Sequence, residues 1–388
     1  MGKLTDTLDT LPHWLHRQAL EHGTDVALRH KHLGIWQVRT WRQLADEVQS
    51  LAGALQARGF SVGATLTIIS RPTPQAIVAA LAAQWLGGAA SLFDPLDAPV
   101  GQIELLGELQ PDFVLAQGHE ELLRLGAAQV TPRVLIYLDK RGLSGSEPFD
   151  QALDYAALIA SKTFAGPVPL AHAQQTAFVF YRRNQQATEA QRIRHTELLQ
   201  HGRQLVQREG LRRHEEALAA RGFASGGQAR YLLAPWLVAG FRLNFPENLA
   251  TRDRDRRELG PTLVAGTRET YERLHGYTLE RLPPPGDRAR KWVDWALAAR
   301  PGLLRRVVGH WLVRRPLRDV LGFSRTHAPL VVGDALQPGT QAFFESLGIK
   351  VRQWGDSTEW EVPSIPLASV TNGRDEPHPQ RVWKEATT

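Results

Sequence analysis

The sequence predicts an α/β fold of packed subdomains, each built on a mostly parallel sheet covered by helices. Three observations predict it. Apolar runs of strand length recur at Ala64–Ile69, Ala89–Phe93, Asp112–Leu115 and Arg133–Leu138. Helical segments fall between them, and parallel strands need such crossovers. With 388 residues, 43% of them hydrophobic and 22% charged, the chain can bury more than one such core. We expect a first subdomain over residues 1–165, a second over 166–362, and a disordered tail over 363–388, where Pro, Ser, Thr and Asn accumulate.

Taken in order, Leu11–Glu21 reads as a short amphipathic helix. Ala27–His30 and Ile35–Val38 read as a strand pair across Lys31–Gly34. Thr40 caps the next helix, with Gln43 three residues on as its capping-box partner. Leu44, Val48, Leu51, Ala52 and Leu55 form that helix's apolar face. Pro74–Leu86, Gly101–Leu109 and Ala152–Ile159 are further helices. Ala177–Tyr181 is an apolar strand, followed by a polar loop and a helix that starts at His195-Thr196. Arg208–Gln228 is charged and glycine-punctuated, which predicts a surface excursion. Tyr231–Leu233, Leu237–Leu243 and Thr262–Ala265 read as strands, with a helix at Asp253–Glu258. Helices at Arg268–Arg281, Arg288–Arg300 and Gly302–Val313 precede a strand at Thr326–Val332. A helix at Pro338–Leu347 and a strand at Ile349–Gln353 close the series.

The lack of cysteine excludes disulfides, thiolate nucleophiles and Cys-ligated zinc. No apolar run reaches the ~18 residues of a membrane span. The amino-terminal residues lack the apolar centre of a signal peptide, so we expect a cytoplasmic protein, with the inner face of the membrane as a second location. His195 and His201 lie on different faces of one helix, which argues against a metal pair. The net charge of +6 suits either an anionic partner or arginine-rich solvated faces. No helix-turn-helix or zinc-finger spacing accompanies it, so we expect no nucleic-acid partner.

Several stretches in their order resemble one family. They are Thr40-Trp41-x-x-Leu44-Ala45; Leu237–Phe241 followed by Asn244-Phe245-Pro246-Glu247; Arg257–Gly266 (RELGPTLVAG); Trp311–Leu321 (WLVRRPLRDVL) with Gly322 and Ser324-Arg325; and Gly348-Ile349 with Arg352-Gln353. Together they are similar to the adenylate-forming, AMP-binding superfamily, and within it to the long-chain acyl-CoA synthetase branch. The resemblance implies the packed α/β subdomains of that family's N-terminal domain. It also implies chemistry with ATP and magnesium: a fatty-acid carboxylate attacks the α-phosphate, and CoA sulfur then displaces AMP.

Against that family the sequence departs at its centre. The family's Gly- and Thr-rich phosphate loop is represented by Tyr181, Arg182, Arg183, Asn184 and Gln185–Gln191, without glycine and without the loop lysine. Glycine lets backbone approach phosphate, and the hydroxyls and lysine supply donors and charge. Arg182 and Arg183 could hold an anion, or the loop could be a solvated polar turn. Gly333 and Asp334 stand in the segment similar to the adenine-binding motif, and Thr358 and Glu359 in the one that contacts the α-phosphate and magnesium. Leu233–Trp236 resembles a strand end, and Leu237–Gly240 follows at once, so a pocket-lining helix of the family is expected to be missing. The lid domain that follows Thr-Glu in the family is expected to be absent.

Arg288–Arg318 sets Trp292, Trp295 and Trp311 among Arg305, Arg306 and other arginines at near-helical spacing. Such a face suits a membrane interface, or a helix pair on the core with a basic outer side. The functional expectation is an acyl-CoA synthetase-like protein that has lost adenylation and acts as a binding or regulatory partner. Its candidate partners are a fatty acid, an acyl-CoA, an active synthetase chain or a membrane surface. The alternative is a long-chain fatty acid–CoA ligase with residual or partner-completed activity, which would need ATP or AMP and magnesium.

Overall fold

The computed structural model describes residues 9–143, 151–162, 164–166, 168–183, 188–220, 224, 226–298 and 302–355. The chain begins with α1 (Leu11–His22), the hairpin β1 (Val26–His32) and β2 (Ile35–Thr40), and α2 (Trp41–Gln56). There follow β3 (Thr65–Ile69), α3 (Pro74–Trp85), β4 (Ala89–Phe93), α4 (Pro99–Leu109), β5 (Phe113–Ala116), α5 (His119–Ala127) and β6 (Val134–Tyr137). Next come β7 (Leu153–Asp154), α6 (Tyr155–Ala160), β8 (Thr176–Arg183), β9 (Thr188–Arg194), α7 (His195–Glu209) and β10 (Glu216–Leu218). A continuous helix follows, from α8 (Gly226–Gln228) through a π-helical turn (Ala229–Leu233) into α9 (Ala234–Ala239). The remainder is β11 (Arg242–Phe245), α10 (Arg252–Leu259), β12 (Leu263–Gly266), α11 (Arg268–Arg281), α12 (Arg288–Leu297), α13 (Leu303–Gly309), a π-helical turn (His310–Arg314), α14 (Arg315–Val320), β13 (Ala328–Val332), α15 (Pro338–Ser346) and β14 (Arg352–Trp354).

These strands form two seven-stranded sheets, ordered β7-β6-β5-β3-β4-β8-β9 and β14-β13-β12-β10-β11-β1-β2. Both are parallel except at one edge, where β9 and β2 each close an antiparallel hairpin. The second sheet takes its edge from the first 40 residues, because β1 pairs in parallel with β11. The expected α/β class and mostly parallel sheets hold.

The core sits between the sheets. The α3 helix is buried almost all round, touching α2, β3 and β4, and also β1 of the other sheet. A helix apolar on nearly every side has no face to give to water, so it belongs in such an interior layer, where its Gln84 donates to the Ala177 carbonyl. Trp41 of α2 stacks on Trp236 of α9 at 4.9 Å, and the Trp236 indole donates to the Ala27 carbonyl at 3.0 Å. A second cluster lies under α4 and α5, and a third, with Tyr271, Phe323 and Phe344, under α11 and α15. The Thr40–Gln43 capping box forms as its sequence requires.

Several local expectations are corrected. Arg208–Gln228 is no surface excursion: it contains β10, which lies in the middle of the second sheet with Ala217 fully buried. Its charges hid it, yet Glu216 is buried because Arg29, Arg242 and Asn244 partner its carboxylate. Tyr231–Leu233 and Leu237–Ala239 are helical rather than strands, and the strand begins only at Arg242. Gly240 adopts a positive φ of 71° there, which ends the helix. Ala152–Ile159 divides into β7 and the short α6, and the α5 helix carries Glu120 and Glu121 in its first turn, a helix the sequence reading lacks. The tail over residues 363–388 lies outside the described residues.

Candidate functional site

Ligands of α/β folds gather at the carboxyl ends of the strands, where loops and helix termini converge. Two sets of residues occupy those ends here, and both were candidates from sequence. The first is the β8–β9 hairpin. The expected polar loop leading straight into a helix is instead a strand, β9, running back antiparallel along β8 with Tyr181 opposite Ala190 and Arg182 opposite Glu189. Seven strand residues carry the chain roughly 20 Å, so α7 starts at the far end of the hairpin. Its first N–H groups are already used there: His195 donates to the Gln175 carbonyl at 3.2 Å and Thr196 to that of Ala173 at 3.1 Å. They supply no donors to an anion at the hairpin tip.

The hairpin arginines are engaged as well. Arg182 pairs with Glu189 at 2.8 Å. Arg183 pairs with Glu104 at 3.0 Å and Glu108 at 3.3 Å, both on α4. Tyr181 is half-buried and stacks on Phe93 at 6.3 Å, and burial raises its phenol above the usual range. Asn184 lies outside the described residues.

The second set closes the carboxyl ends of β13 and β14. Gly333 takes a positive φ of 86°, donates to the Trp354 carbonyl at 3.0 Å and accepts from Gln353 Nε2 at 3.0 Å. Only glycine fits opposite it at Gly355, where a Cβ would lie 2.8 Å from the Gly333 nitrogen. Asp334 pairs with Arg268, which also donates to the Ala335 carbonyl. Trp354 is fixed by its indole donation to Glu209 at 3.0 Å, by Arg208 at 4.9 Å from its ring centre and by Tyr231 at 5.9 Å. Thr358 and Glu359, which follow, lie outside the described residues.

Helix α8–α9 spans the seam between the two sets, and it contains both Leu233–Trp236 and Leu237–Ala239, the two stretches between which a family helix was expected to be missing. The misreading came from taking Leu233–Trp236 as a strand end. Gly226 sits so close to β9 that a Cβ would meet Ile193 at 2.9 Å, while Tyr231 reaches Trp354. Arg230, only 6% exposed, pairs with Glu197 of α7 at 2.6 Å. Arg230, Glu197, Glu209 and Arg268 were not singled out from sequence. Isolated charges carry no periodic signal, and only tertiary packing brings Arg230 to Glu197, Glu209 to Trp354 and Arg268 to Asp334.

Beside this seam, Leu218, Gln228, Gly266, Thr270, Arg252, Arg256 and Arg273 line a small cleft of about 40 Å³. That volume suits a few waters rather than an acyl chain. Its arginines are held by Asp253, which bonds Arg273 and Arg256. Burial alone would raise the Asp253 carboxyl, but Arg273, Arg256 and Arg252 outweigh it and hold the pKa low. Burial pushes the Arg256 guanidinium down to about 10. Among the described residues no group of three His, Asp or Glu side chains could hold a metal ion. No described helix is long and apolar enough to cross a membrane.

Residues 15–181 match the sequence model of a family described as AMP-binding enzyme. No relative among curated proteins matches the sequence. Many solved structures share the fold, among them the following three. The chain is 14% identical to the A-PCP didomain of carboxylic acid reductase from Segniliparus rugosus in complex with AMP, with a TM-score of 0.70 over 91% of this chain and 53% of that one. It is 17% identical to acetoacetyl-CoA synthetase from Streptomyces lividans, with a TM-score of 0.67 over 90% and 52%. It is 16% identical to a putative long-chain-fatty-acid CoA ligase from Rhodopseudomonas palustris, with a TM-score of 0.63 over 91% and 75%. The chain thus spans about half the length of the first two. The AMP-binding family match over residues 15–181 and the fold shared with adenylate-forming enzymes over nine-tenths of the chain point the same way.

Proposed function

We propose that this chain uses the adenylate-forming fold as a binding or regulatory module and carries out no adenylation of its own. One observation carries the reading. At the seam where the fold would present cations to a nucleotide, Arg182, Arg183, Arg230 and Arg268 are each paired with a carboxylate of the same chain. A triphosphate arriving there would have to compete with those carboxylates; the cost is greatest at buried Arg230 and small at the three exposed pairs. The hairpin brings no glycine N–H array and no helix terminus to offset that cost.

The long-chain branch and the acyl ligand belong to this proposal too. The resemblance of Arg257–Gly266 and Trp311–Leu321 to that branch supports a fatty acid or acyl-CoA as the small-molecule ligand, or an active synthetase chain as the partner. The test pairs two measurements on the purified protein. ATP–pyrophosphate exchange and acyl-CoA formation with magnesium and a long-chain fatty acid are expected to stay at background. Thermal melting is expected to respond to acyl-CoA or fatty acid but not to ATP–magnesium. A ligand at a hundredfold excess over Kd adds roughly 2.7 kcal/mol, enough to read. Turnover that Glu359→Ala abolishes would overturn the proposal and favour a residual ligase.

A further inference from the structure

Between β12 and β13 the chain leaves the sheet for α11 and then for a helical hairpin, α12 against α13–α14. Its two arms are packed as a unit. Ala296 is fully buried, and a Cβ on Gly309 would meet it at 3.2 Å. Arg314 donates to the Ala296 carbonyl at 2.9 Å, and Arg305 to that of Trp295. The side chain of Arg306 lies outside those described.

The outer face of this hairpin is apolar and basic together. Trp292, Val307, Trp311 and Leu312 are 59%, 58%, 59% and 67% exposed. Val307, Trp311 and Arg315 follow one another at intervals of four along a single helical stripe, and the Arg315 guanidinium lies 4.6 Å from the Trp311 ring centre. Arg288 and Lys291 are exposed beside Trp292 on α12. Residues 288–320 hold nine Arg and Lys against two Asp, a net of +7, while the whole chain carries +6. The other 355 residues therefore sum to −1: the protein's excess positive charge sits on this one element.

We propose that the α12–α14 face docks peripherally on an anionic lipid bilayer. Tryptophan is at home at the headgroup level, and arginine and lysine are drawn to the negative surface of acidic lipids. Charge alone would suit nucleic acid equally. The exposed aliphatic Val307 and Leu312 decide for lipid, because a phosphate backbone offers them nothing and an acyl boundary buries them. The proposal is independent of whether the chain adenylates.

The test is co-sedimentation with vesicles of phosphatidylcholine, alone or mixed with phosphatidylserine. Binding is expected only to the mixed vesicles and should weaken as salt rises. Each basic residue near such a surface is worth about a fivefold change in partition. Arg288→Ala with Lys291→Ala should therefore lower binding roughly 25-fold, and Trp292→Ser with Trp311→Ser should lower it further. All four side chains are exposed, so unchanged melting midpoints would show that the variants are folded. Equal binding to both vesicle types, no binding to either, or unchanged binding by the folded variants would overturn the proposal. Binding of single-stranded RNA that the same substitutions abolish, without vesicle binding, would assign the face to nucleic acid instead.

Discussion

Lowering the pH from 7 to 5 should destabilise the protein through His195. This imidazole opens α7 and is completely buried. Its Nδ1 accepts from the Leu11 N–H at 3.3 Å, which fixes the neutral ring with its proton on Nε2, and Nε2 meets no partner. Burial, reinforced by nearby His13, pushes its pKa down to about 3. The unfolded chain returns the ring to its ordinary value near 6.5. Between these two values the unfolded state binds the extra proton, so stability is full above pH 6.5 and falls as pH drops. Integrating that difference from pH 7 to pH 5 gives a loss of about 2 kcal/mol for this one ring. His30, lowered to about 4 by burial beside Arg39 and His32, should add a similar amount. Urea titrations at pH 7, 6 and 5 measure the slope, and His195→Gln should remove the His195 share of it whatever its own stability. An unchanged slope in His195→Gln, or a proton-NMR titration placing this ring near 6.5 in the folded protein, would refute the reasoning.

Three further outcomes are expected. Lys31→Met should cost about 3–5 kcal/mol in chemical denaturation, because it strands the buried Asp255 whose carboxylate the ammonium meets at 2.9 Å; Lys31→Met with Asp255→Leu should recover part of that loss. Gly88→Ala should destabilise by about 1–3 kcal/mol, since a Cβ would lie 2.6 Å from both the Ala64 carbonyl oxygen and the Phe60 ring, and a matched Phe60→Leu background should relieve part of it. Trp236→Ala should lose about 3–5 kcal/mol by thermal melting, through the lost stack on Trp41 and the cavity between the sheets.

Much of the architecture was legible in the chain because its signals are local. The capping box at Thr40 and Gln43, the apolar strands β3 to β6 and the helices α3, α11 and α15 each declare themselves within a few residues. The resemblance to the AMP-binding family also rested on short runs, and the family match and the shared fold bear it out at the level of the superfamily. The readings failed where burial depends on remote partners. Glu216 looks like a surface charge until Arg29, Arg242 and Asn244 surround it, and β10 becomes a central strand. Leu237–Leu243 looks like one strand, yet packing on α7 makes its first half helical.

The sequence by itself determined the fold class, the lack of thiol chemistry, the concentration of positive charge in residues 288–320 and the lack of glycine between Tyr181 and Arg192. It determined these because composition and short-range periodicity need no knowledge of what lies across the molecule. Only the tertiary structure decided that Thr188–Arg194 turns back as a strand and removes the α7 terminus from the hairpin tip. It also decided which carboxylate sits on each arginine of the seam. An arginine is a phosphate grip or a structural ion pair according to its neighbour, and for Arg183, Arg230 and Arg268 that neighbour comes from an element tens of residues away.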